Sequence, residues 1–122
     1  MFKNILVLPI LKGKEESMLK INMEYRKGIL FVRLKGELIR YSYHDLTKYI
    51  IPIIEEKGIK YIVFNLDNLT VIDNYGKMAL KMVLNVLKDR TGKGLICTSS
   101  IPFDNSESVV SDELKAFTLL KV

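Results

Sequence analysis

The segment Tyr61-Ile62-Val63-Phe64-Asn65-Leu66 constrains this chain more than any other, because it is an almost unbroken apolar run of strand length. Such a run reads as a strand buried on both faces, the kind found inside a sheet covered by helices. A loop over 67–73 follows, and then a helical pattern from Asn74 to Arg90. Its polar stripe is Lys77, Lys81, Asn85 and Lys88, and nearly everything else in it is apolar. Thr91-Gly92-Lys93-Gly94 ends the helix, and Leu95-Ile96-Cys97-Thr98 reads as a second buried strand. A strand, a helix of this length and another strand imply parallel pairing through a right-handed crossover.

The flanking segments extend that unit. Lys20 to Tyr25 and Ile29 to Leu34 alternate with period two, with Lys27-Gly28 as the turn between them. Ser42-Tyr43-His44-Asp45 has the spacing of a capping box, a serine with an acid three residues later. The helix it opens should turn Leu46, Tyr49, Ile50, Ile53 and Ile54 inward and end at Lys57-Gly58. Pro52 inside it removes a backbone donor and invites a kink. After Thr98 come a loop rich in Ser, Asp and Asn, a short helix near Val109 to Lys115, and a final strand in Phe117 to Val122. The expected order is β-β-α-β-α-β-α-β. This is an α/β fold, a mixed and mainly parallel sheet with helices packed against it.

Composition then narrows the function. At 122 residues, 48% of them hydrophobic, the chain forms one domain with a core that needs no staples. A single cysteine, Cys97, forbids an internal disulfide and reads as a small core residue, which points to a reducing cytoplasm. A single histidine, His44, rules out three-histidine zinc and two-histidine iron sites. Any Ser–His catalysis would run through His44, which sits in a helix's first turn and reads as exposed or capping. Asp67, Asp73 and Asp104 lack a metal-ligand spacing, so neither metal nor cofactor is expected, and an enzyme is disfavoured. The net charge of +5 comes from scattered lysines, which read as solvated faces and not as a direct nucleic-acid site. The apolar stretch from Phe2 to Leu11 is too short for a membrane helix, so no membrane insertion is expected. Residues 1–17 stand apart as an N-terminal extension, read either as an extra edge strand or as lying ahead of a translation start at Met18. For the second reading, Lys12 to Ser17 can be encoded by purine-rich codons like a bacterial ribosome-binding site.

Two segments resemble a known family. Gly28 to Leu38, with its closing Gly36-Glu37-Leu38, is similar to the second strand of STAS domains, and Tyr61 to Gly76 resembles their signature strand, loop and Asp-Ser-Ser/Thr-Gly helix start. The resemblance covers roughly Leu19 to Ser100 and is nearest to bacterial anti-sigma factor antagonists, so 18–122 is expected to be the STAS domain. It implies docking onto an anti-sigma factor of serine-kinase type, which frees a sigma factor for transcription. In the family, phosphorylation of the serine after the Asp breaks that complex. Asp73, Asn74, Tyr75, Gly76, Lys77 and Leu84 are the partner-binding candidates. Asp73 suits a helix cap and Gly76 close backbone approach.

This sequence departs from the family at the functional point. Asn74 stands at the phosphosite and has no hydroxyl, and Tyr75 replaces the next Ser or Thr. Ile39 replaces an acid near the phosphosite, and Met78 a small glycine. Met78 and Met82 read as core. One reading makes Asn74 and Tyr75 a cap and a surface aromatic. The favoured one keeps the docking surface and drops the serine switch, with asparagine matching an unphosphorylated serine in charge. The alternative function is a phosphorylation-independent STAS scaffold, or an accessory subunit of a stressosome-like or membrane transport complex. The sequence leaves monomer and homodimer both open.

Overall fold

The computed structural model describes residues 6–12, 15–103 and 108–120, with side chains from Met18 onward. The described elements run β1 (Leu6–Lys12), β2 (Glu15–Arg26), β3 (Ile29–Leu38), α1 (Tyr43–Lys57), β4 (Tyr61–Ile72), α2 (Asn74–Asp89), β5 (Lys93–Cys97), β6 (Val109–Val110) and α3 (Glu113–Leu120). They build a six-stranded sheet whose spatial order equals the chain order. β1, β2 and β3 pair antiparallel, and β3 to β6 pair parallel. The two-residue turn Lys27-Gly28, with φ of 51° and 84°, has the left-handed backbone that matches the twist of a hairpin.

The two parallel crossovers that carry a helix, β3-α1-β4 and β4-α2-β5, step in the same direction along the sheet. Right-handed connections that step the same way put their helices on one face. Leu30, Val32 and Leu34 of β3, and Ile62, Phe64 and Leu66 of β4, accordingly meet Leu46, Ile50 and Ile54 of α1 and Ala79, Leu80, Val83 and Leu87 of α2. The alternate residues Ile29, Phe31, Val63, Leu95 and Cys97 face the other way and are covered by Ala116 and Leu120 of α3. The mixed sheet with helices against it is therefore the fold expected from the sequence, and β1 is its antiparallel edge strand.

Four local expectations are corrected. The last two elements exchange places: Val109-Val110 is a strand beside Ile96 and Cys97, and the segment holding Phe117 is helical. Asp112 explains the swap, since its Oδ1 accepts from the Lys115 amide at 2.8 Å and starts a helix whose Ala116 and Leu120 point inward. The second concerns 67–72, expected as loop, which continue β4 by pairing with the far end of β3, from Lys35↔Asn68 to Leu38↔Ile72. Ser42 stands at the N-cap of α1, yet its hydroxyl caps nothing there. It donates instead to the Glu37 carbonyl at 2.7 Å and accepts from the Ile39 amide at 3.0 Å, tying down the chain between β3 and α1. Finally, Met78 and Met82 are exposed and not core. Pro52 is also exposed, and α1 runs on through it to Gly58.

Candidate docking surface

The bulged pairing of β3 and β4 delivers the chain to the start of α2 with only Asp73 between strand and helix. Gly36, at φ 99°, occupies a backbone region open to few other residues, and a Cβ there would collide with the Met18 carbonyl of the neighbouring strand. This accounts physically for the glycine of Gly36-Glu37-Leu38.

Asp73 holds the helix start from two sides. Its Oδ1 accepts from the Gly76 amide at 2.9 Å, and its Oδ2 accepts from the Arg40 amide at 2.9 Å. Its own amide donates to the Leu38 carbonyl at 3.3 Å. The carboxylate thus links the first turn of α2 to the segment between β3 and α1. Gly76 sits directly over Leu38, so any Cβ would strike the Leu38 carbonyl oxygen. Both residues are framework: they fix a platform and leave the next side chains to face outward.

Asn74 and Tyr75 are those side chains, and both are exposed. The Tyr75 ring lies 5.5 Å from that of Tyr43, which in turn stacks on His44 at 4.2 Å. His44 is exposed beside them. Tyr75, Met78 and Met82, at 42%, 47% and 44% exposure, follow one another at helical spacing down the flank of α2 nearest α1. Tyr41 and Val71 are exposed apolar residues close in sequence to that platform. Exposed aromatic and methionine side chains in such a row are the composition of protein interfaces.

The six candidates divide between two flanks. Asp73 and Gly76 frame the start of α2, and Asn74 and Tyr75 crown it. Lys77 and half-buried Leu84 lie on the opposite flank, in a groove of about 520 Å³ between α2 and β5 that Lys81, Lys88, Lys93 and Phe103 also line. Sequence reasoning missed Tyr43, Met78 and Met82. For the two methionines a helical wheel carries the signal: Gly76, Ala79, Leu80, Val83 and Leu87 already fill the core-facing stripe of α2, which leaves Met78 and Met82 outside.

On the other face of the sheet, Arg33 makes a forked contact with Glu113 and a single one with Glu24, each at 2.9 Å. Asn65 donates to the same Glu113 carboxylate at 2.8 Å, which explains the one polar residue in the apolar run of β4. The guanidinium holds Glu113 below the usual carboxylate range. Burial pushes the Cys97 thiol up to about 11. No helix of the described residues is long and apolar enough to cross a membrane.

Comparison with known proteins agrees with this architecture. Residues 20–102 match the family model of the STAS domain. The chain is 27% identical over 84 residues to the anti-sigma F factor antagonist of Paenibacillus polymyxa, covering 69% of this chain and 72% of that one. Its fold matches the unphosphorylated form of the anti-sigma factor antagonist SpoIIAA with a TM-score of 0.68 at 17% identity, over 83% of this chain and 97% of that one. It also matches a sulfate transporter family protein from Wolinella succinogenes with a TM-score of 0.63 at 21% identity, over 79% and 87% of the two chains.

Proposed function

The chain belongs to the STAS domain family, and from that premise we propose that it is a binding module that docks onto an anti-sigma factor of serine-kinase type and so regulates sigma-dependent transcription in a bacterial cytoplasm. The observation that carries this reading is the row Asn74, Tyr75, Met78 and Met82. It is displayed on a helix start that Asp73 and Gly76 hold rigid. A rigid platform bearing exposed apolar side chains spends little ordering entropy on binding. The relative from Paenibacillus polymyxa, an anti-sigma F factor antagonist, supports an anti-sigma factor as the partner.

The serine switch is absent in this reading. Asn74 occupies the phosphosite with a neutral amide, so the surface stays competent to bind. A carboxylate at the same place would put negative charge in the interface while suiting the helix dipole, which separates binding from folding.

Calorimetric titration with a purified anti-sigma factor of serine-kinase type from the same organism tests the proposal. Wild-type protein should bind, and Tyr75→Ala and Asn74→Asp should each weaken binding by about tenfold or more, with circular dichroism unchanged. Incubation with the kinase and ATP should not release the complex. Phosphorylation of Thr70, Tyr75, Ser99 or Ser100 accompanied by release would sink the switchless reading. Failure to bind, with membrane transport subunits or a large homo-assembly co-purifying, would favour the scaffold or accessory role.

A further inference from the structure

We propose that the groove between α2 and β5 is a second docking site, which takes an acidic amphipathic helix of a protein partner. Four lysines, Lys77, Lys81, Lys88 and Lys93, line a groove of about 520 Å³ whose floor is Leu84, Ile96 and Phe103. None of the described lining residues is acidic, and none of the four lysines has a carboxylate partner among the described residues. Asp104 and Glu107, in the connection from Phe103 to Ser108, lie outside the described residues.

Lys77 and Lys81 are one helical turn apart and Lys88 is two turns further on, so like charges face one another along a single flank. A polyanion laid along the groove would relieve that repulsion. The concavity comes from β5, where Gly94 has no side chain and Leu84 packs against the bare backbone. Lys77 Nζ sits 5.4 Å from the centre of the Phe103 ring, which sets a cation over the apolar floor.

Length and polarity select the occupant. From Lys77 to Lys88 the cationic row spans about 16 Å, three turns of helix. A single anionic head group would meet only part of that row. A nucleic-acid backbone would meet the lysines but offers no aliphatic stripe to Leu84, Ile96 and Phe103. An amphipathic helix with glutamates toward the lysines and leucines toward the floor meets both, in the helix-in-groove mode. The site is on the flank of α2 away from Tyr75, Met78 and Met82, so it does not rest on the docking surface described above.

Fluorescence anisotropy with the full chain tests it, using a labelled helical peptide of about 16 residues with glutamates and leucines on adjoining stripes. The peptide should bind, added salt should weaken it, and the double variant Lys81→Glu/Lys88→Glu should weaken it by about tenfold or more. Phe103→Ser and Leu84→Gln should also weaken it, while Tyr75→Ala should leave it unchanged. The charge-reversal variant alters only exposed side chains and keeps the fold, so the test survives if the Leu84 variant does not fold. Equal binding of the same peptide with glutamine for glutamate would overturn the proposal. So would charge reversal without effect, or tighter binding of a DNA duplex of matched length.

Discussion

Arg33 and Glu113 meet in a forked ion pair, with Nε and Nη2 each 2.9 Å from a different oxygen of one carboxylate. They stand 80 positions apart, one on β3 and the other in the first turn of α3. The pair is the polar clasp that seats α3 on its face of the sheet, beside the apolar contact of Ala116 and Leu120.

The clasp makes stability depend on acid. Glu113 is held below its ordinary pKa, chiefly by its hydrogen bonds with Arg33. A depressed carboxylate contributes stability that is present above its unfolded pKa and lost as pH falls through its folded one. Urea unfolding should therefore show a loss of stability below about pH 4.5 that Glu113→Gln removes. At neutral pH the variant should cost about 1 kcal/mol, a modest figure because both side chains remain partly solvated.

Asp73 joins two segments through one carboxylate, so its loss should cost more than a simple cap. Asp73→Ala should destabilise the fold by about 2 kcal/mol, and Asp73→Asn by less, because the amide oxygen still accepts one of the two bonds. Thermal melts followed by circular dichroism would show the ranking.

Gly76→Ala should be among the most damaging single changes in this domain. The added methyl meets the Leu38 carbonyl, which is backbone and cannot swing aside. The expected cost is about 2 kcal/mol or more, read as a lower urea midpoint with an unchanged slope. Met82→Ser, one face away and exposed, should change stability by less than about 0.5 kcal/mol.

The thiol of Cys97 is buried and pushed up to about 11, so little of it is thiolate at mildly alkaline pH. Labelling with a disulfide reagent should be slow in the native protein and rapid in urea. A native rate equal to the unfolded one would show that α3 does not cover this face in solution.

The sequence was most legible where a segment is buried on both faces. Ile62, Val63 and Phe64 lie between β3 and β5 under helices on either side, so selection for apolar residues left an unbroken run. Past Asn65 the same strand has lost β5 as a neighbour, and Asp67, Asn68, Thr70 and Val71 are exposed. An edge carries no apolar run, which is why 67–72 looked like loop. At the C-terminus, Phe117 and Leu119 are exposed apolar residues, so the pattern of α3 blurs toward that of a strand. For the candidate surface, the cap and the close-packed glycine were legible because each has a fixed backbone task. Met78 and Met82 were misread as core because they are apolar, although the core-facing stripe of α2 is already filled without them.

Strand order carries one last consequence. Each strand of this sheet is laid beside the one made just before it. As the chain leaves the ribosome, every new strand finds its hydrogen-bonding edge already in place, and the sheet can grow in one direction without waiting for distant sequence. Among the described elements, α3 is the one that reaches back across the sheet, to Arg33. The second face therefore closes only once α3 has been made, and until then Phe31, Val63 and Cys97 stay open to the cell's chaperones.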